Sequence, residues 1–211
     1  MKKVFTILAA TVLLAGVASA QLGINVGYAP QTYKTTYTNS DNTNTTSLNG
    51  FFAGVNYNIN LTGDLGLSLG ADFRFNTSSD ESTALGVTSK TQSTQTLIDV
   101  PILFNYGLNI TDDLKISVFL GPTVNFALSG KSTLTISGSP LGVLDGTTES
   151  DWYGDNSDLG RLDIAGTAGV NVQFKAFRLF GGYNMGFLNL TSADNTKMKG
   201  SNWFVGLGFS L

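Results

Sequence analysis

The chain has 211 residues, a formal charge of −3, 13% charged residues and 25 glycines, so it is long enough for one or two domains. It contains neither cysteine nor histidine, which excludes disulfides, thiolate metal sites and Ser-His-Asp or Cys-His catalytic sites. The mild acidic balance leaves no electrostatic footprint for nucleic acid, and we predict no cofactor.

Residues 1–20 match the three-part pattern of a secretory signal peptide. Lys2 and Lys3 form the positive start, residues 4–17 form the apolar core, and Ala18-Ser19-Ala20 supplies the small-residue cleavage pattern. The apolar core is too short for a membrane anchor helix. We therefore expect cleavage after Ala20 and one domain over residues 21–211.

Period-2 alternation of apolar and polar residues predicts eight long strands in the rest of the chain. They cover residues 22–30, 49–60, 65–76, 95–109, 114–128, 161–174, 177–190 and 202–211. Most soluble strands have about 5 or 6 residues, whereas a strand that crosses a membrane needs about 9 to 11. The lengths therefore favour membrane-spanning strands.

The hairpin over residues 49–76 indicates which face meets lipid. Each arm has one apolar face and one polar face. On the first arm the apolar face carries Phe51, Val55 and Ile59, and on the second arm the polar face carries Asp72 and Arg74 among Gly and Ser. Side chains so small and polar predict an inverted barrel, with apolar residues toward lipid and polar residues toward the lumen.

The connections alternate between long and short, as in outer-membrane barrels with short periplasmic turns and long outer loops. Polar loops are predicted at residues 31–48, 77–93, 130–160 and 191–201. Pro101 and Pro122 fall inside predicted strands, where we expect local bulges or bends. The predicted fold is all-β, an eight-stranded antiparallel up-and-down transmembrane β-barrel in the outer membrane of a Gram-negative bacterium.

Several short motifs carry a family resemblance over the whole mature chain. They are Leu97-Ile98-Asp99-Val100-Pro101-Ile102-Leu103, Phe119-Leu120-Gly121-Pro122, Asp163-Ile164-Ala165-Gly166 with Gly169-Val170, and the C-terminal Gly208-Phe209-Ser210-Leu211. The layout resembles the eight-stranded outer-membrane barrels of the OmpA and OmpX type and looks most similar to the PorT-like barrel domains. The resemblance implies an outer-membrane location and no fixed biochemical activity.

The charged residues on the predicted lumen face are candidates for a polar network. They are Asp72, Arg74, Asp99, Asp163 and Lys115. Counting from the short turns places the three aspartates and Arg74 at similar heights, and we hypothesise that Arg74 pairs with Asp99 or Asp72. The alternatives are side chains solvated by internal water and a salt-bridge gate, and static pairing for structural reasons is the more common case.

The third long connection holds the other candidate site. Its possible cation or ligand contacts are Glu149, Asp151, Trp152, Tyr153, Asp155 and Asp158. Clustered carboxylates suit Ca²⁺, but EF-hand spacing is absent because Tyr153 follows Asp151 by two positions, so no metal site is predicted. Trp152 and Tyr153 are either a contact tip or residues packed against the barrel rim.

We expect a non-enzymatic outer-membrane barrel with a structural or partner-binding role in the bacterial envelope, surrounded by outer-membrane lipid and possible envelope protein partners. A narrow pore for ions or small solutes is one alternative, and a loop-borne adhesin or cation-binding surface protein is another. Enzyme activity is not expected because the sequence has no catalytic constellation.

Overall fold

The computed structural model describes residues 20–38, 42–84, 86–138, 145–154 and 157–211. Apart from Ala20, the predicted leader lies outside the described residues. No helix in the described ranges is long and apolar enough to cross a membrane.

Ten strands follow one another in the described ranges. They are β1 (Ala20–Tyr28), β2 (Gln31–Tyr37), β3 (Thr43–Thr62), β4 (Leu65–Ala84), β5 (Val87–Asn109), β6 (Leu114–Ser137), β7 (Gly146–Asp151), β8 (Leu162–Phe174), β9 (Phe177–Gly186) and β10 (Thr196–Ser210). Tight turns join β3 to β4, β5 to β6 and β8 to β9. Gly63 provides the positive φ, 53°, that the first of these turns needs.

The strands close into a ring with eight antiparallel positions, as predicted. β1 and β2 share one position, because both pair with β10 on one side and β3 on the other, with only Ala29 and Pro30 between them. The ring then continues through β4, β5, β6, β8 and β9 back to β10, and β7 lies off the ring beside β6. Closure removes exposed sheet edges from the wall of the barrel.

The long connections are strand over much of their length, so their prediction as loops is wrong there. β2 and the start of β3 occupy residues 31–48, β4 and β5 continue through most of 77–93, β6 and β7 occupy much of 130–160, and β10 begins at Thr196. These segments are rich in Thr, Ser and Asn and have little apolar alternation. Alternation is required only where one face meets lipid, whereas ladder hydrogen bonds form regardless of it.

The outward side chains form an apolar belt, which confirms the predicted orientation of the two faces. Leu120 is 65% exposed, Phe177 66% and Leu207 60%. At the long-connection end of the belt the Tyr28 ring packs edge-on against Phe51 and Trp203, with ring centroids 5.3 and 5.4 Å apart. So large an exposed apolar surface, with an aromatic cluster at its margin, is what a barrel in a bilayer presents to lipid.

The lumen also holds an aromatic row that the polar interpretation of this face did not predict. Phe52 and Phe180 have ring centroids 6.1 Å apart, Phe180 and Phe204 are 6.3 Å apart, and Phe119 stacks on Phe204 at 6.2 Å. The rings fit because glycines face them: a Cβ on Gly206 would lie 2.5 Å from the Phe180 ring. Glycine on the inward face therefore makes room for larger inward neighbours.

The prolines do not produce the expected bulges. Near Pro101 the ladders to β4 and β6 skip pairs but keep their register, and Pro122 pairs with Gly166 in an unbroken ladder. The register shift of β5 against β6 lies instead at Thr96 and Leu97. Skipped pairs accommodate the missing proline donor without an extra residue.

Candidate functional site

One row of cross-strand partners links seven polar side chains of the lumen face. Starting at Gln173 on β8, the row passes through Arg178, Gly208, Asn25, Gly54, Asp72, Asp99 and Asn125 to Asp163. The row therefore begins at Gln173 and ends at Asp163, ten residues apart on the same strand, β8. This offset is the stagger in strand register that a closed barrel requires. Because of this stagger the row climbs from the short-turn end toward the long-connection end.

The climb separates residues that turn counting places together. Asp72 and Asp99 are direct cross-strand partners, whereas Asp163 lies two strands further along the rising row. Asp163 accepts a hydrogen bond from the Leu188 backbone N–H, 3.3 Å away. Lys115 lies low in the lumen, beside Gly107 at the short-turn end. Asp163 therefore lies higher than Asp72 and Asp99, because turn counting ignores strand tilt, but it still lines one small pocket together with Arg74.

Arg74 and Asp99 form a buried ion pair with two parallel contacts. The Arg74 Nε and Nη2 atoms lie 2.9 and 3.1 Å from the two Asp99 carboxylate oxygens, and Nη1 donates to Gln31 Oε1 at 2.7 Å. Arg74 is 2% exposed and Asp99 7%. A fork-to-fork pair of this kind fixes both side chains across the lumen. Asp72, the other expected partner, keeps its Oδ1 without a hydrogen bond among the described residues.

A second polar layer lies above the ion pair and was missed by sequence reasoning. Gln95 Oε1 accepts hydrogen bonds from Tyr33 Oη at 2.8 Å and Asn76 Nδ2 at 3.0 Å, and Gln95 Nε2 donates to Tyr153 Oη at 2.7 Å. Asn76 and Gln95 are essentially fully buried. The alternation along its strand already predicts that Asn76 faces the lumen, whereas Tyr33 lies in a segment that was predicted to be a loop.

An apolar cap closes the long-connection end of the lumen. Tyr33, Leu48 and Leu190 form a buried cluster, and Trp152 and Met198 pack against it. Together with the two polar layers, this cap fills the upper lumen with described side chains.

Trp152 and Tyr153 pack against the rim of the barrel. Trp152 Nε1 donates to Ser132 Oγ at 2.7 Å, and the Arg161 guanidinium lies 5.0 Å from the centre of the Tyr153 ring. Burial raises the pKa of the Tyr153 phenol, while the hydrogen bond from Gln95 and the charge of Arg161 act against that rise. The phenol is therefore neutral at ordinary pH, and of the two alternatives the structure has the packed one.

The remaining loop candidates do not form a cation site among the described residues. Glu149 and Asp151 lie exposed on β7, and the Asp158 backbone oxygen accepts a hydrogen bond from the Ser192 backbone N–H at 2.8 Å. Asp155 lies outside the described residues. Within the described ranges no three carboxylates come together where one metal ion would bind.

A four-stranded sheet continues beyond the apolar belt at the long-connection end. We call it the projecting sheet: it consists of residues 77–84 of β4, 87–96 of β5, 129–137 of β6 and the whole of β7. The β3–β4 ladder ends at the pair Asn49 and Thr77, so β4 pairs only with β5 beyond that point. β7 pairs only with β6 among the described residues. The projecting sheet therefore has two open edges.

A closed antiparallel ring with an apolar exterior and a largely polar interior defines a membrane-embedded β-barrel. The model of the outer membrane protein beta-barrel domain family matches residues 16–192. The chain belongs to this family and is a bacterial outer-membrane barrel, as predicted. In such barrels the short turns face the periplasm, so the projecting sheet faces outward.

Three solved structures are similar to the chain in fold. Ail, the attachment invasion locus protein of Yersinia pestis, is 14% identical with a TM-score of 0.46 and 91% and 99% of the two chains covered. Neisserial surface protein A is 13% identical, with a TM-score of 0.38 and 89% and 97% covered. The N-terminal barrel domain of Pseudomonas aeruginosa OprF is 12% identical, with a TM-score of 0.33 and 92% and 100% covered. A comparison with curated proteins gives no match.

Proposed function

We propose that this chain is a non-enzymatic outer-membrane barrel that binds a protein partner through the projecting sheet. The observation that carries the proposal is the open edge of β7, which stands beyond the apolar belt and is exposed along its whole length. An unpaired strand edge is a template for an added strand. The partner we propose is an extended polypeptide segment with basic side chains, because Glu149 and Asp151 give this edge negative charge.

The hydrogen-bond pattern identifies the residues of β7 that face the open side. The Trp152 N–H donates to the Gly130 oxygen at 2.8 Å, and the register continues through the pair Ser150 and Ser132. Antiparallel ladders alternate, so Thr148 and Ser150 direct their backbone groups toward β6, whereas Thr147 and Glu149 direct theirs away from it. The added strand would bond to the backbone of Thr147 and Glu149.

The test compares two proline variants of β7 with one charge variant. Glu149→Pro removes an edge donor and no bond to β6, Ser150→Pro removes a bond to β6, and Glu149→Gln keeps the donor and removes the charge. Binding is measured by fluorescence anisotropy, with the barrel in micelles and strand-forming Lys-Thr and Glu-Thr peptides as probes.

We expect the Lys-Thr peptide alone to bind, with binding weakened by salt and by Glu149→Gln. Glu149→Pro should weaken it by about tenfold, the value of one lost backbone hydrogen bond left unpaired. Equal binding of both peptides, or binding unchanged by Glu149→Pro in a variant that still folds, would overturn the proposal.

The filled upper lumen supports a closed barrel over the alternative of a narrow pore. Arg74, Asn76 and Gln95 cross the lumen in two successive layers beneath the apolar cap. Residues 21–211 refolded into a planar bilayer should give a closed or flickering trace at neutral pH. A steady open level would reinstate the pore and make Arg74 and Asp99 the first residues to change.

Processing and the narrower family assignment belong to the same proposal. Removal of the leader after Ala20 is supported by its sequence pattern, and the intact mass of the outer-membrane protein tests it. The PorT-like assignment rests on the motifs at residues 97–103 and 119–122. Stable co-purification with envelope machinery would support it, whereas a barrel isolated alone after mild solubilisation and cross-linking would count against it.

A further inference from the structure

Three lysines lie together on the outward face of the barrel, beyond the apolar belt at the long-connection end. We call them the lysine cluster: Lys34 on β2, and Lys197 and Lys199 on β10. All three side chains are exposed, while Tyr33 beside Lys34 is buried on the lumen side. Lys199 lies four residues beyond the belt residue Trp203 on the same face of β10, about 13 Å further along the strand.

Two members of the lysine cluster face each other directly. Lys34 and Lys199 are cross-strand partners, and like charges in this arrangement destabilise a sheet. On its other side Lys34 is paired with Thr45, which brings no negative charge. The two salt bridges within the described ranges lie in the lumen and at the short turns. The lysine cluster therefore has no carboxylate partner among the described residues.

The lysines of the projecting sheet are arranged differently. Lys90 lies directly opposite Glu81, and Lys131 lies directly opposite Asp151. The chain thus places a carboxylate beside both lysines on that side of the barrel, but a second lysine beside Lys34. A positive cluster that the chain does not neutralise is complementary to an anionic group from outside it.

The lysine cluster is continuous with the surface that meets lipid. On the same face and closer to the belt, Trp203 and Tyr28 belong to the aromatic cluster at the belt margin, where aromatic rings lie at the level of lipid head groups. Between this margin and the lysines lies the cross-strand pair of Thr32 and Ser201, whose hydroxyls can donate hydrogen bonds. Lysine stems are long enough to direct their ammonium groups into the head-group layer.

We propose that the lysine cluster binds the phosphate group of an anionic lipid in the outer leaflet of the outer membrane. The phosphate neutralises the opposed charges of Lys34 and Lys199, and its several oxygens can accept hydrogen bonds from both ammonium groups. The acyl chains of the lipid lie along the belt beside Trp203 and hold the phosphate at this height. Each basic residue near a membrane surface strengthens the binding of anionic lipid by about fivefold.

Trp203 provides the measurement, because it lies at the belt margin on the same strand face as Lys199. The chain has two tryptophans, so Trp152→Phe leaves Trp203 alone. Residues 21–211 with this substitution are reconstituted into phosphatidylcholine bilayers with a small fraction of lipid that carries brominated chains, which quench a tryptophan they touch. The brominated lipid is either phosphatidic acid or phosphatidylcholine, so the ratio of the two quenching curves gives the preference for phosphatidic acid beside Trp203.

We expect brominated phosphatidic acid to quench Trp203 more strongly than brominated phosphatidylcholine. The preference should fall about fivefold in Lys34→Gln and by about the same factor again when Lys199→Gln is added. Lys90→Gln with Lys131→Gln is the matched control, because it removes two positive charges at the same end of the barrel and should leave the preference unchanged. The comparison of the two lipids needs no lysine variant, so it holds even where a substitution prevents folding.

Equal quenching by the two lipids, or an equal loss of preference in the control, would overturn the proposal. Inorganic phosphate separates a lipid from a soluble anion, and it should displace phosphatidic acid no more than sodium chloride of the same ionic strength does. Stronger displacement by inorganic phosphate would overturn the lipid assignment in favour of a soluble anion. The lysine cluster lies across the ring from β6 and β7, so its failure would not affect the proposed partner binding by the projecting sheet.

Discussion

The same strands form two regions with opposite sequence character. Within the belt, β6 alternates outward Val118 and Leu120 with inward Phe119, and the outward residues are more than half exposed to the lipid side. In the projecting sheet the same strand continues as Ser132, Thr133 and Leu134 without clear alternation. The ladder to β5 runs through both regions with one register shift. Apolar alternation therefore marks the environment on the two faces of a sheet, and its end marks the membrane boundary and not the end of the strand.

The largest expected effect tests the buried side of the belt. Arg74→Ala leaves Asp99 buried without its cation, which should lower the free energy of unfolding by about 3–5 kcal/mol. Arg74→Ala with Asp99→Asn should recover part of this loss, because the unpaired charge is removed. Unfolding by urea in micelles, followed by the gel shift between folded and unfolded barrel, measures both variants.

Asp113→Asn is the control for the ion pair. Asp113 and Lys175 lie 3.5 Å apart with side chains 55% and 61% exposed, so breaking this pair should change stability by less than about 1 kcal/mol. If Arg74→Ala costs no more than Asp113→Asn, the lumen pair does not stabilise the barrel.

The next prediction places one substitution on the outward face of β6 in each region. Leu120→Arg puts a charge into the lipid belt and should cost about 2–4 kcal/mol near the middle of the membrane. Thr133→Arg, on the same face in the projecting sheet and opposite Glu149, should stay within about 0.5 kcal/mol. The same urea unfolding experiment compares them, and equal costs would mean that the apolar belt extends further along β6 than its sequence indicates.

The sequence predicts the belt well because lipid and lumen impose a strict period of two. The lumen-facing orientation of Arg74 and Asp99 follows from this period, since a charged side chain in such a strand is tolerated only where it faces the lumen. Gln31 and Tyr33 could not be predicted as lumen residues, because the alternation ends at Pro30 while the strand position continues. The phenylalanine row was hidden for a different reason: an apolar residue on the inward face is visible only once the facing glycines are known.

The contact between the two regions gives a smaller effect. Trp152→Phe keeps most of the packing on Leu48 and Leu190 but loses the hydrogen bond to Ser132, which should cost about 0.5–1.5 kcal/mol. Ser132→Ala removes the other partner, and a double-mutant cycle isolates the bond. Additive losses in the double variant would show that this bond does not join the sheet to the rim.

The smallest expected effect tests whether the projecting sheet is stabilised by local pairs alone. Glu81 and Lys90 are direct cross-strand partners near the tip of the β4–β5 hairpin, so Glu81→Lys places like charges opposite each other at a cost of about 0.2–1 kcal/mol. Global unfolding should not register this loss, since the barrel wall can stay folded while the tip opens. Amide hydrogen exchange should register it, as faster exchange in residues 79–92 that slows again at high salt. Faster exchange that extends to Asp99 in the belt would instead show that the two regions unfold as one cooperative unit. The projecting sheet and the belt would then have the same local stability, although their sequences differ on the two sides of the membrane boundary.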